Sequence, residues 1–549
     1  MGPRSFFLLL TTLALLFTFV DAVAPIVDVS YSKYKGKDLG NGVTQWLGMR
    51  YAAPPLGELR FMPPQDPIRS RQTKDASRFR LKCIGYGAGV GSIGKTQSED
   101  CLFINVFAPT NAARMARLPV FVYIQGGGFT SNSKPAINGT RLIQASGMNM
   151  IIVTLNYRVS IFGFLSHLDM VQPNIGLLDQ RRALQWVQQY ISRFGGNPKQ
   201  VTLGGNSAGA SSVAFHMAAY GGRDDNLFHA ASAESISSSP IVTLEQAAYR
   251  ANNTIGRLNC TDVDVMACMR NKTAYEISVA STNIPYPGVG NAPLSMWAPV
   301  VDGKFVTDGL WNSFSQGKFV KVPSLIGATT NEGVGFVSSA SASSQTAVTN
   351  FWQAEYPQLN LTSHLARVSD LYPFTSNTCP SSSPSPSAGC LRKQLGDSYG
   401  DMRFLCPGTS ISGAMSLWMP GKTWNYWYNV EDPFDMARGQ GVPHCVEMHA
   451  LWGPGHAPGA QLPSSYLDGG INANVTTVVQ SYWISFIRGK DPNKYRGVNA
   501  TTAIWSPYST SQRQRLVFDT AGVTSVQNMT QTMQDRCNYF GSISALVQQ

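Results

Sequence analysis

Val201-Thr202-Leu203-Gly204-Gly205-Asn206-Ser207-Ala208-Gly209 is the stretch on which the reading of this chain turns. Its last five residues fit G-x-S-x-G, in which a sharp turn between a strand and a helix forces a serine into a strained backbone geometry. Small residues two before and two after keep side chains from clashing there. In a chain with 51 glycines the bare pattern carries little by itself. Its context carries more, because Val201 to Leu203 leads in as an apolar strand and Ala208 to Ala219 leads out in helix-compatible residues. A serine at the start of that helix also places developing negative charge near the positive end of the dipole. Ser207 is therefore the candidate nucleophile.

Outward from this point, Val120 to Ile124, Met150 to Leu155 and Val322 to Ile326 are short runs that are apolar without alternation. Such runs suit strands buried on both faces. Leu177, Leu178, Leu184, Val187, Ile191 and Phe194 recur at helical spacing, and Gly195-Gly196 followed by Pro198 ends that helix. The strand, helix, strand order is a βαβ unit. Trp424 to Val430 reads as a strand, Val478 to Ile487 as a late amphipathic helix, and Thr375 to Gly389 as a Ser/Pro-rich surface excursion. The expected class is α/β: a large central, mostly parallel sheet flanked by helices, in a single domain with insertions. Length alone suggests three or four domains. That prior yields because one set of candidate site residues runs from Gly127 to His444.

Gln125-Gly126-Gly127-Gly128-Phe129 follows directly after the strand ending at Ile124. Glycines there let main-chain N–H groups approach an oxyanion, so Gly127, Gly128 and Ala208 are the candidate donors. A triple glycine in isolation is more often a flexible loop; its place after a buried strand and ahead of the serine reverses that. The chain has seven histidines. In the order serine, acid, histidine, those that follow the serine and lie well beyond an acid are His364, His444, His449 and His456. His444, in the turn Gly441-Val442-Pro443-His444 after a strand-like run, is the candidate base. His216 and His229 are read as packed or capping residues in helical stretches. For the acid, Glu332 in Asn331-Glu332-Gly333 lies just past a buried strand, where sites in α/β sheets collect. Taken alone, an acidic residue beside glycine is a turn residue.

Residues 1–22 read as a secretory signal, with Arg4 as the positive region, Phe6 to Val20 as the apolar run and Val20-Asp21-Ala22 as the cleavage site. The mature domain is then 23–549, secreted and without a transmembrane segment, since the apolar run is short of the roughly 18 to 20 residues a span needs. Secretion makes Asn138, Asn252, Asn259, Asn271, Asn360, Asn474, Asn499 and Asn528 legible as N-glycosylation acceptors. It also makes most of the nine cysteines legible as disulfides, with one thiol left over. Cys83/Cys101 and Cys260/Cys268 are near enough to close local loops, and Cys379/Cys390 brackets the Ser/Pro-rich excursion. A net charge of +11 raises the question of an anionic partner. The densest basic group, Arg69 to Lys82, has no nucleic-acid motif around it, so a solvated surface is expected. No cofactor, metal-ligand cluster or nucleotide site is expected either.

With these residues in hand the chain resembles the type-B carboxylesterase/lipase family of the α/β-hydrolase fold, which includes cholinesterases, fungal lipases and non-catalytic neuroligins. Secreted fungal members are nearest in style. The likeness spans almost all of the mature chain: Gly48-Met49-Arg50-Tyr51-Ala52-Ala53-Pro54-Pro55, Ser98-Glu99-Asp100-Cys101-Leu102, the triple glycine, Asn156-Tyr157-Arg158, Asn174-Ile175-Gly176-Leu177-Leu178-Asp179-Gln180, the serine turn, Asn331-Glu332-Gly333 and Gly441-Val442-Pro443-His444.

The resemblance implies a glutamate-containing triad and the disulfides Cys83–Cys101 and Cys260–Cys268. It also suggests Cys406–Cys537, leaving Cys445 as the odd thiol. The family often has Glu or Asp before the serine, whereas this chain has Asn206. The implied activity is ester hydrolysis on a small-molecule or lipid ester. Two alternatives are an interfacial lipase and a non-catalytic binding or adhesion protein. Between Cys83 and Cys101 the 17 residues are Gly-rich, with no bulky apolar stripe for a lipase lid and no tryptophan to hold a quaternary ammonium. Soluble esters of short to medium acyl length are the expected substrates.

Overall fold

The structure, a computed structural model, describes residues 25–112, 116–133, 135–167, 170–261, 264–373, 386–456, 463–497 and 502–549. Residues 1–22, expected to be a secretory signal, Cys379, Asn499 and most of the Ser/Pro-rich excursion lie outside these.

One sheet of eleven strands organises the molecule. In chain order they are β1 (Lys37–Asp38), β2 (Val43–Arg50), β3 (Phe103–Pro109), β4 (Leu118–Ile124), β5 (Ile151–Leu155), β6 (Gly196–Asn206), β7 (Ala230–Glu234), β8 (Ser324–Thr329), β9 (Thr423–Asn429), β10 (Gln514–Asp519) and β11 (Thr524–Asn528). Across the sheet the order is β11-β10-β9-β8-β7-β6-β4-β5-β3-β2-β1. From β10 to β5 every neighbouring pair is parallel. The flanks, β11 on one side and β3, β2 and β1 on the other, pair antiparallel. This is the large, mostly parallel sheet flanked by helices of the α/β-hydrolase fold.

Parallel strands need cover on both faces, and β4 shows how the sequence supplies it. Val120, Val122 and Ile124 point into one core with Leu184, Val187 and Val213. Phe121 and Tyr123, alternating with them, point into the other with Val479, Tyr482 and Phe486. The first face is covered by α1 (Ile175–Tyr190) and α2 (Ala208–Gly222), the second by α4 (Ala473–Gly489). Burying each such large apolar side chain contributes about 1.5–3 kcal/mol. The helical run through Phe194 finishes as a 3-10 turn, Ile191–Phe194, and Gly195 closes it at φ 86°.

Four details depart from the sequence reading. The run Val322 to Ile326 enters the sheet only at Ser324, because Pro323 stands just before it and has no N–H to donate. The strands of the βαβ unit, β5 and β6, are not neighbours, since β4 lies between them. His229 is not helical; it lies in the approach to β7, where its N–H donates to Val201 O (2.7 Å). The Ser/Pro-rich excursion, expected to run to Gly389 with Cys390 as its closing bracket, gives way earlier to the helix Pro386–Gly400. A proline suits a helix start, where its missing N–H would have had no partner. Cys390 therefore stands inside a helix, not at the end of a loop.

Between β8 and β9 the chain makes a long insertion that builds its own core around Trp352, Tyr356, Tyr399 and Phe404. It ends in a π-helical turn, Asp401–Leu405, that runs into α3 (Cys406–Trp418). Disulfides join Cys83 to Cys101, Cys260 to Cys268 and Cys406 to Cys537, and Cys445 is free. Cys390 is buried and disulfide-bonded as well. The pairing expected for it, with Cys379, involves a residue outside the described ones, so its partner stands as a proposal.

Candidate active site

Successive parallel strands each deliver one part of the site from their C-terminal ends, where open α/β sheets place ligands. Ser207 follows β6 and stands immediately before α2, at φ 56° and ψ −126°. That conformation is strained for an L-residue and persists only where the surroundings over-determine it. A Cβ on Gly205 would lie 2.6 Å from the Gly209 carbonyl, and one on Gly209 would lie 2.0 Å from Ile124 O. Both motif glycines are therefore imposed by the close approach of the turn, its own helix and the end of β4. The Ser207 N–H donates to Glu234 O at 2.9 Å, tying the turn to β7.

Glu332, in the turn after β8, accepts from His444 Nδ1, which hangs on the turn after β9. Its other oxygen accepts from the Thr329 N–H (2.6 Å) and Ser235 Oγ (2.7 Å), so the carboxylate cannot swing away. The two loops are stitched together: Asn331 N–H donates to Val442 O, and Val442 N–H donates to Asn331 Oδ1, both at 2.9 Å. Gly441, at φ 64°, is required because a Cβ there would meet that Asn331 oxygen at 2.1 Å. His444 Nε2 is buried and has no hydrogen-bond partner among the described residues. The Phe404 ring lies 4.3 Å and the Phe336 ring 5.2 Å from the imidazole, centroid to centroid. Asn206 Nδ2 donates to Cys445 Sγ (3.4 Å), so the chain neighbours of Ser207 and His444 touch. Burial raises the pKa of the Cys445 thiol well above its ordinary value, and the charges of Glu447 and Glu332 add to this.

The glycine loop after β4 closes the site from the third side. Gly126 N–H donates to Asn206 Oδ1 (3.2 Å), and a Cβ on Gly126 would lie 2.8 Å from Ser207 Cβ. Gly127 has φ 121° and a Cβ there would sit 2.1 Å from Ser131 O, so only glycine fits. The N–H groups of Gly127, Gly128 and Ala208 donate to no acceptor among the described residues. That of Ala208 is one of the free donors every helix start presents.

Sequence reasoning missed the polar setting behind these groups. Glu447 Oε1 accepts from Tyr426 Oη (3.1 Å) and Ser235 Oγ (3.3 Å), while Glu234 accepts from Tyr123 Oη (2.7 Å) and Trp483 Nε1 (3.1 Å). Burial pushes the Glu234 carboxyl up to about 7, against the pull of its hydrogen bonds. Burial, with the charges of Glu332 and Glu234, raises Glu447 well above the carboxylate range. Three residues C-terminal to His444, Glu447 had no spacing signal to mark it. Among the described residues, no cluster of three or more His, Cys, Asp or Glu could hold a metal ion.

Comparison with known proteins gives a consistent picture. Residues 23–539 match the model of the carboxylesterase family. The chain is 30% identical over 507 residues to the para-nitrobenzyl esterase of Bacillus subtilis (strain 168), covering 90% of this chain and 94% of that one. It is similar to the crystal structure of Aspergillus niger EstA with a TM-score of 0.88 and 36% identity, over 96% of this chain and 99% of the other.

Proposed function

The chain belongs to the carboxylesterase family and is a carboxylic ester hydrolase, and from that premise we propose that it works through an acyl-enzyme on Ser207. Ser207 Oγ attacks the ester carbonyl carbon as His444 Nε2 takes its proton. The carbonyl oxygen becomes an oxyanion held by the N–H groups of Gly127, Gly128 and Ala208. When the intermediate collapses, the C–O bond to the alcohol breaks and the imidazolium gives its proton to the departing oxygen. Water then repeats the sequence on the acyl-enzyme, with His444 as base, and releases the acid and Ser207. Glu332 holds the imidazole in the required tautomer and stabilises the imidazolium.

The observation that carries this reading is an imidazole fixed at Nδ1 by Glu332 with Nε2 left unpaired, on a loop that touches the strained serine turn. The test is hydrolysis of 4-nitrophenyl butanoate by purified protein. Ser207→Ala is expected to lower kcat by about 10⁴-fold or more; retention of a tenth of the activity would remove Ser207 from the reaction.

Soluble esters of short to medium acyl length are the proposed substrates. The loop that would serve as a lid is fastened down: Tyr86 N–H donates to Thr130 O (2.8 Å), Gly85 N–H to Gln97 Oε1 (2.7 Å), and Tyr86 Oη accepts from the Asn283 N–H (2.7 Å). We also propose secretion and N-glycosylation. The disulfides support this, as do six exposed acceptors, Asn252, Asn259, Asn271, Asn360, Asn474 and Asn528; Asn138 is half-buried. No helix among the described residues is long and apolar enough to cross a membrane.

A further inference from the structure

Three surface segments, 431–438 after β9, 465–472 before α4 and 519–523 at the end of β10, are drawn together around one buried side chain. Asn472 donates from Nδ2 to Glu431 O (2.9 Å) and accepts at Oδ1 from the Ala521 N–H (3.3 Å), while its own N–H donates to Ser465 O (2.8 Å). On these segments Phe434, Met436, Leu467, Ile471 and Val523 are each 42–56% exposed. Large apolar side chains gathered in this way mark a surface that something covers. The same segments carry Glu431, Asp432, Asp435, Asp468 and Asp519 against Arg438. That excess of carboxylates opposes an anionic lipid surface, and it opposes a symmetric dimer, in which the patch would meet its own copy. A neutral cover with hydroxyls to offer suits both the apolar centre and the acidic rim.

Asn474, exposed in the first turn of α4, comes three residues after Ile471 and lies against the chain neighbour of Val523, since a Cβ on Gly522 would stand 2.9 Å from its Nδ2. It opens the acceptor Asn474-Val475-Thr476. At other acceptors the fold uses the threonine hydroxyl: Thr254 Oγ1 donates to Arg250 O (3.0 Å), and Thr273 and Thr530 cap helices. Thr476 is buried and its Oγ1 has no hydrogen-bond partner. An orphaned buried hydroxyl costs stability that a methyl in its place would not, so packing gives no reason for it and the acceptor does. Thr140 shares the orphaned hydroxyl, but its Asn138 is half-buried and accepts from the Thr140 N–H (2.9 Å). We propose that Asn474 carries an N-linked oligosaccharide whose first sugars lie on Ile471 and Val523 and cover the apolar patch. A pyranose presents a C–H face to bury aliphatic side chains and hydroxyls at its edge to meet carboxylates. This rests on the reading of secretion and N-glycosylation above. In the modification, Asn474 Nδ2 displaces diphosphate from the anomeric carbon of a lipid-linked oligosaccharyl diphosphate: the C–N bond forms, the C–O bond to diphosphate breaks, and the amide proton is lost to solvent.

The test secretes the full chain from a yeast host and maps glycopeptides by mass spectrometry, with the Asn474 peptide expected to carry a glycan. Thr476→Val removes the acceptor while leaving Asn474 and the buried shape in place, and Thr476→Ser keeps the acceptor. Turnover of 4-nitrophenyl butanoate at the wild-type rate shows that each variant is folded. Thr476→Val should bind an apolar fluorescent dye severalfold more than the wild type and self-associate in light scattering; Thr476→Ser should do neither. Adding Ile471→Ser and Val523→Ser to Thr476→Val should return both readings to the wild-type level. A bare Asn474 beside occupied acceptors elsewhere overturns the proposal, as does a glycosylated Asn474 whose loss in Thr476→Val changes neither reading. A glycosylated wild type that forms dimers lost on Ile471→Ser assigns the patch to a second copy and overturns it too. A secreted chain with no glycan at any acceptor strikes at the N-glycosylation reading beneath it, and the proposal falls with that reading.

Discussion

Asp179 and Glu447 are both carboxyl groups buried in the same protein, and each is surrounded differently. Asp179 receives Arg158 through Nε (2.8 Å), Nη2 (2.6 Å) and the main-chain N–H (3.1 Å), so its charge is matched by a guanidinium in bidentate geometry. Glu99 with Arg60 and Asp100 with Arg50 repeat that arrangement nearby. Around the site, Glu234 and Glu447 have no arginine or lysine partner among the described residues, only hydroxyls and an indole N–H. Glu332 has the imidazole.

Desolvation costs a buried charge far more than a hydrogen bond returns, so a carboxyl without a cation keeps its proton. Burial raises both Glu447 and Glu234 for this reason, and the charges of Glu332 and Glu234 add to the rise at Glu447. Asp179, Glu99 and Asp100 are thus each matched by a guanidinium, whereas Glu234 and Glu447, behind the triad, are matched by neutral donors and bind protons more tightly than in water. Around the site, Glu332 is the group bonded to the ring that must become a cation, and burial makes the neighbouring Glu447 and Glu234 carboxyls bind their protons more tightly than in water.

The largest expected effect tests that division directly. Glu332→Gln removes the acceptor that fixes His444 Nδ1 and should lower kcat for 4-nitrophenyl butanoate by about 10³- to 10⁴-fold. Glu447→Gln keeps the shape of a carboxyl whose pKa burial raises well above the carboxylate range, and should cost at most about tenfold. Equal losses from the two variants would mean that Glu447 acts as an anion, and the distinction between the two regions would go. Next in size is Asp179→Asn, which strands the Arg158 cation in the interior. It should cost about 3–5 kcal/mol of stability, read as a fall in Tm, while kcat of the folded enzyme changes little.

What could be read from the chain before folding divides along similar lines. The strand and helix around Ser207, the glycine loop and the turn at His444 announce themselves because their constraints are local: close approach forces glycine at 205, 209, 127 and 441, and burial on both faces forces unbroken apolar runs. Ser235, Glu447 and Phe404 carry no such mark. Ser235 and Glu447 enter through tertiary contacts between successive strand ends, and Phe404 through a π-helical turn at the end of an insertion that has its own core. The helix that takes in Cys390 was hidden for a different reason, since the Ser/Pro composition just before it reads as loop up to the cysteine itself. The two-residue edge strand Lys37–Asp38 was equally silent, since strands that short have no periodicity to detect.

The smallest expected effect concerns Glu234, whose charge state can be followed through stability. Its carboxyl sits at about 7 in the folded chain against 4.5 for an unperturbed glutamate. The folded state therefore binds the proton more tightly than the unfolded state. The stability this contributes is fully present below about pH 4.5 and is lost as the pH rises through about 7. The gap corresponds to about 3 kcal/mol. Glu234→Gln keeps an oxygen for Trp483 Nε1 and a polar group for Tyr123 Oη but cannot ionise, so its stability should hold nearly level where that of the wild type declines. The measurement is Tm for both proteins from pH 4.5 to 8. The curves should lie close at the acid end and separate toward the alkaline end, with the variant above. Parallel curves would mean that Glu234 ionises in the fold as readily as in water, and that the site region tolerates an unmatched charge as the surroundings of Asp179 do not.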